Sequence, residues 1–415
     1  MPRGIPASAA RVRSVLCAFA VLAASCAPRT AIRATVPEGT PTVFVAGSVA
    51  SLGNWDPARA PMRGTGRTRE IEVELGVARE AEFKLTLGSW ATEALGAGGQ
   101  IMQNQRVRAG EVATVEVTGF KVDRREDALA DPAAGGVLGT IVTWREVRSA
   151  HLSRPRTVQV WTPPGYDPAA SARHPVIYAH DGQNLFDPRL AAFGTDWGLD
   201  EAIVAGAARG EFVAPIVVAV WNTPDRRREY CPWDLGDRYA RFLVDELMPR
   251  VNAEFRTRTD AASTMTLGSS MGGLISLHLC RTRPDRFGLG ACVSTHVPFS
   301  TADLARAQGV DPQPGADASP LILRDIAAGL RFPRNPAGPG GAAGPRLWFD
   351  YGTEGLDSAY GPIQAQVDAW LEGQGLVRGV DFESRRFDGA DHSERAWRAR
   401  VGLALGFLLA PAPER

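Results

Sequence analysis

The sequence predicts an α/β fold, with a mostly parallel central sheet flanked by helices, preceded by a small all-β sandwich. Three observations carry this. Residues 34–120 alternate apolar and polar positions in short runs separated by Gly and Pro, the pattern of half-buried strands. From about residue 137 near-continuous apolar runs take over, as in strands covered on both faces. These runs alternate with segments of helical spacing, the sequence signature of a parallel sheet.

The elements follow in order. Residues 1–13 carry Arg3, Arg11 and Arg13 and no acid, and residues 14–24 are apolar. A basic stretch followed by a short apolar run reads as a secretory signal peptide. The run is shorter than the roughly 20 residues that a membrane-spanning helix needs. It ends at Leu22-Ala-Ala-Ser-Cys26, close to a bacterial lipobox with its leucine one place early, so Cys26 is the candidate lipidation site within a 1–26 leader. A simple cleaved leader with Cys26 incidental is the other reading. Either way the expected location is exported: periplasm, outer-membrane lipoprotein or medium. Any membrane contact would come through the lipid anchor.

In the sandwich, strands are expected at 42–46, 70–75, 81–86 and 112–117. Residues 121–136 are polar and then small, and read as a linker. The second domain, 137–411, is expected to place strands at 156–161, 174–180, 214–220, 265–267, 291–295, 346–350 and 382–386. Helices are expected at 239–255, 273–281, 363–371 and 394–409. Residues 333–345 are low in complexity and read as a loop.

Composition excludes several functions. Lys+Arg and Asp+Glu both total 46 in 415 residues, so no global field for nucleic acid exists. Lys84 and Lys121 are the only lysines. Five cysteines without a CxxC pair argue against a zinc site or a disulfide scaffold.

The chemistry concentrates in three places. Gly268-Ser269-Ser270-Met271-Gly272 lies between an expected strand and an expected helix, the context in which G-x-S-x-G forms a nucleophile elbow. Ser270 is then the candidate nucleophile. The Met271 N–H, at the start of a helix, would face an oxyanion. A base must follow. Of the six histidines His278, His296 and His392 come after Ser270; His278 falls within the expected helix 273–281, and His392 lies between the last strand and the last helix, where the base is expected. The orienting acid should lie in the preceding loop, which offers Asp357 and Glu354; Asp357 is favoured, and Asp391 beside the histidine is a third choice. A second oxyanion donor is sought in His180-Asp181-Gly182-Gln183, and the Gln183 N–H is chosen. No second ligand cluster accompanies His180-Asp181, so neither a metal nor a cofactor is expected.

The stretches "RTVQVWTPPGYDP", "HPVIYAHDGQNLFD", "VVAVWNTPDRRREY", "GSSMGG", "DYGTEGLDSAYGP" and "DGADHSERAWRAR" occur in order over residues 140–405. This half resembles the esterase-D-like family of α/β-hydrolases, which includes feruloyl, acetyl-xylan and siderophore esterases. The resemblance implies an α/β-hydrolase fold and a serine esterase with Ser270 as nucleophile, His392 as base and Met271 in the oxyanion hole. It also marks Arg226-Arg227-Arg228-Glu229-Tyr230 as a loop shaping the substrate cleft, beside the plainer reading of a solvated charged loop. The front domain, through "VFVAGSVASLGNWDP" and "AEFKLTLGSWATEALGAGGQIMQNQRV", resembles a starch-binding-type carbohydrate-binding module. That resemblance implies sugar stacking on Trp55 and Trp90; structural packing, with the sandwich shaping the active site, is the alternative. Together they lead to acyl esters of carbohydrate as the expected substrate. Siderophore or other small esters, acyl transfer to a sugar, and a catalytically silent carbohydrate-binding lipoprotein are the rivals.

Overall fold

Along each central strand, neighbouring side chains leave on opposite faces, so a strand apolar at every position must be covered twice. The computed structural model shows this directly. It describes residues 29–411 apart from 77, 123–124, 311, 314–316 and 333–344. Val176 and Tyr178 enter one core, while Ile177 and Ala179 enter the other. Leu347 and Phe349 separate from Trp348 in the same way. The leader, with Cys26, and nearly all of the low-complexity run lie outside the described residues.

The front domain begins earlier than residue 34, with strand β1 (Ala31–Thr35), and continues with β2 (Phe44–Gly47), β3 (Ala60–Pro61), β4 (Thr68–Glu72) and β5 (Glu80–Thr86). The strands β6 (Ala94–Leu95), β7 (Gln105–Arg108), β8 (Val112–Glu116) and β9 (Gly119–Phe120) complete it. Sheets ordered β4-β1-β8 and β3-β2-β5-β7 enclose one apolar core that includes Ile32, Val45, Phe83, Val107 and Val115. Residues 121–136 contain a short helix, Arg125–Ala130, and Ala128 is fully buried. That segment therefore packs rather than simply spanning a gap.

The second domain adds β10 (Thr140–Val147), β11 (Arg156–Thr162), β12 (Val176–His180) and β13 (Ile216–Val220). The remaining strands are β14 (Thr264–Ser269), β15 (Leu289–Val293), β16 (Arg346–Gly352) and β17 (Phe382–Phe387). They form one sheet ordered β10-β11-β13-β12-β14-β15-β16-β17, antiparallel at β10/β11/β13 and parallel thereafter. This is the α/β-hydrolase arrangement. Two expected helices differ in detail. Residues 236–254 run as a helix with a π-helical stretch at Phe242–Leu247. Residues 394–409 break into Glu394–Arg398 and Val401–Leu409, because Arg400 leaves helical geometry.

The two domains touch through both lysines. Lys84 is buried on Glu93 (2.7 Å), and its ammonium stands 4.9 Å from the centre of the Phe193 ring. Lys121 donates to the Ala192 carbonyl (3.4 Å). The front-domain turn Ala50–Trp55 lies against the helix Thr301–Ala307.

Candidate active site

Parallel strands gather their following loops at one edge, and ligand sites of open α/β sheets form there. Ser270 follows β14 directly and caps the helix Met271–Thr282. Its backbone sits at φ 56°, ψ −120°, a conformation that a non-glycine residue holds only when its surroundings enforce it. Two glycines permit the turn. A Cβ on Gly268 would lie 2.6 Å from the Gly272 backbone, and one on Gly273 would lie 2.5 Å from Thr295 Oγ1. Gly272 differs: a Cβ there would meet only ordinary contacts at 3.5 Å. The backbone of Ser270 is braced by its N–H to Val293 O and by the His296 N–H to Ser270 O, both 3.0 Å.

His392 lies between β17 and the next helix, and its Nδ1 is 2.5 Å from Asp357 Oδ1. Asp357 is fully buried. Its other oxygen accepts from Ser294 Oγ (2.6 Å) and the Gly352 N–H (2.7 Å). Burial pushes this carboxyl up, but the bonds from His392, Ser294 and Gly352 outweigh burial and hold it below its ordinary value. Glu354 is exposed and Asp391 is engaged by Ser393 (2.5 Å), so Asp357 is the acid brought to His392.

Three groups here were not visible in the sequence. Ser294, at φ 37°, accepts from Trp397 Nε1 (3.0 Å) and Arg400 Nη2 (2.6 Å) while donating to Asp357. One donor and two acceptor positions are thereby filled, the full capacity of a hydroxyl. Arg400 also pairs with Asp350 at 2.9 Å. Tyr360 is buried, its hydroxyl 2.7 Å from His296 Nδ1, and the His296 N–H in turn bonds the Ser270 carbonyl (3.0 Å). Its ring stands edge-on to His392, so one tyrosine borders both histidines. Burial lowers His296 to about 4, which keeps it neutral near pH 7.

The candidate oxyanion donors lie after β12 and β14. Met271 is the first residue of its helix, so its N–H has no acceptor within it. Gln183 lies in the single turn Gly182–Asn184. Gly182 is required there, since a Cβ would lie 2.5 Å from the Ala219 backbone. Asp181 is gripped by Arg226 through both oxygens (2.6 and 2.7 Å) and by Asn222 Nδ2 (2.6 Å). Burial raises Asp181, and these partners reverse the effect. His180 is a core residue, bonded to Tyr239 and Thr266 (both 3.0 Å), and burial drives it down to about 3.

In the front domain, Trp55 and Trp90 are half-buried neighbours with ring centres 6.5 Å apart and planes tilted by 33°.

The family model described as "Putative esterase" matches residues 149–407. YbbA, an uncharacterized protein of Bacillus subtilis, is 24% identical over 153 residues, 34% of this chain and 56% of that protein. The endo-1,4-beta-xylanase/feruloyl esterase of Xylanibacter ruminicola is 24% identical over 173 residues, 40% of this chain and 23% of that protein. The chain thus spans about half the length of the first relative and under a quarter of the second. The enterobactin esterase FES of Shigella flexneri, solved with enterobactin, aligns over 92% of both chains at 17% identity and a TM-score of 0.47. With the family match extending over more than half of its length, the chain belongs to this family of esterases.

Proposed function

We propose that the protein is a serine carboxylester hydrolase whose nucleophile, base and orienting acid are Ser270, His392 and Asp357. The observation that carries this reading is the buried Asp357 carboxylate on His392 Nδ1, in a chain whose Ser270 sits in a strained strand–helix elbow. Ser270 Oγ attacks the ester carbonyl and His392 Nε2 takes its proton. Asp357 holds the Nδ1–H tautomer and stabilises the imidazolium. The N–H groups of Met271 and Gln183 receive the developing oxyanion. Collapse expels the alcohol with the proton from His392. Water then attacks the acyl-enzyme with His392 as base.

The substrate we propose is an acyl ester of carbohydrate. The partial likeness to a feruloyl esterase and the neighbouring Trp55 and Trp90 indoles support it, since flat indoles stack on apolar sugar faces. Small esters are the second reading, favoured by the front domain's contacts with the hydrolase loop at Ala192 and Phe193. Export through the leader, with Cys26 as anchor, belongs to the same proposal.

The test is p-nitrophenyl acetate hydrolysis by the protein and by Ser270→Ala. A fall of several orders of magnitude supports the mechanism; equal rates overturn it. Acetylated xylan and methyl ferulate against a catecholate trilactone then separate the two substrate readings. Trp55→Ala and Trp90→Ala in polysaccharide pull-down test the sugar contact.

A further inference from the structure

The helix Arg226–Glu229 follows β13 and packs against the helix Thr301–Ala307, which follows β15. The two therefore meet across the strand ends between β13 and β15, where the Ser270 elbow lies. Three consecutive arginines sit on the first helix, and their fates differ. Arg226 is held by both oxygens of Asp181. Arg228 is held by Asp234 at 2.9 Å. The adjacent Glu229 is spent on buried Arg156, at 2.8 and 2.9 Å. Arg227, half-buried, has no ion-pair or hydrogen-bond partner among the described residues.

The acid whose field bears on it, Asp303, does not bond to it. Asp303 gives one oxygen to Arg306 (3.2 Å) and the other to the Ser300 N–H and hydroxyl (3.0 and 2.8 Å). Burial works against the Arg227 charge, the field of Asp303 favours it, and the fields of Arg306 and Arg226 oppose it; the net effect lowers its basicity. Its field reaches His296, the histidine bonded to Tyr360 beside Ser270. A guanidinium kept partly out of water without a counter-charge is unfavourable unless an anion completes it. Its fork of donors matches a carboxylate.

We propose that Arg227 recognises a carboxylate carried by the ester substrate, so that the cleft selects anionic esters over neutral ones. The inference rests on the serine-esterase reading above and narrows its substrate class. The carboxylate could belong to the acyl group or to the alcohol, an acidic sugar being one such alcohol.

The test compares kcat/KM for matched pairs with the full protein, each divided by the ester's alkaline hydrolysis rate. Mono(4-nitrophenyl) glutarate against 4-nitrophenyl butyrate probes the acyl side. The 3-acetoxybenzoate anion against its methyl ester probes the alcohol side. At least a tenfold preference for the anion is expected in one pair, and that pair names the side. Arg227→Met should bring the ratio towards one, and Arg227→Lys should keep part of it. No preference in either pair, or the same ratio in Arg227→Met, overturns the inference. Ser270-dependent turnover without charge preference removes the inference alone; turnover unaffected by Ser270→Ala removes the esterase reading with it.

Discussion

The two walls of the Ser270 site, one carrying Asp357 and the other the helix Arg226–Glu229, handle buried charge differently. On the base side every partner is supplied internally: Asp357 receives His392, Ser294 and Gly352, and Ser294 is saturated by Trp397 and Arg400. On the arginine side Arg226 and Arg228 are satisfied and Arg227 is left over. A saturated network fixes geometry because any movement breaks several bonds together. An unsaturated cation has bonding capacity to give to something that arrives. The base wall is thus built to orient, and the arginine wall to orient and to select.

The strongest way to break this contrast is Asp357→Asn. It keeps the shape but favours the wrong imidazole tautomer, and kcat should fall about 10⁴-fold with little change in melting temperature. A comparable fall in stability instead would make Asp357 a structural acid. On the arginine wall, Arg226→Leu strands the Asp181 charge and should lower unfolding free energy by about 3 kcal/mol. Arg228→Leu, at a more exposed pair, should change it by less than about 1 kcal/mol, and denaturant titration reads both. Equal effects would erase the distinction between the two pairs.

Glu394 sharpens the comparison through pH. Burial raises its carboxyl to about 7, with Asp181 adding to the rise and Arg226 opposing it. The fold therefore favours the protonated form. This contribution is fully present below the ordinary value of 4.5 and is lost as pH rises through about 7. The loss is about 3 kcal/mol. Glu394→Gln should flatten the fall in stability between about pH 5 and about pH 8; an unchanged slope would show that Glu394 ionises freely. A smaller effect on catalysis than that of Asp357→Asn is expected for Ser294→Ala. The hydrogen bond to Asp357 is lost, about 1 kcal/mol, so kcat should drop roughly threefold to tenfold at constant KM, while loss of the acceptor for Trp397 Nε1 and Arg400 Nη2 lowers stability.

The places of Ser270 and His392 in the fold were legible because each is set by chain order: a turn between strand and helix, and a loop after the last strand. The near-continuous apolar runs likewise announced the parallel sheet. Asp357 and Glu354 were not separable, because both lie within one loop and only its folding decides which carboxyl turns inward. The short helix in the expected linker and the break at Arg400 were hidden for a similar reason. Ala128 is fully buried, and Arg400 meets Asp350 and Ser294 from far along the chain.

By itself, then, the sequence determined the strand pattern, the strand–helix turn at Ser270 and the place of His392 after the last strand, since these follow from local spacing and order. Tertiary structure alone decided which acid pairs with His392 and that Ser294 and Tyr360 border the site. It also decided that two lysines join the domains and that one of three adjacent arginines stays unpaired. Those outcomes depend on which side chains long-range packing brings within hydrogen-bond distance, and no local pattern encodes that distance.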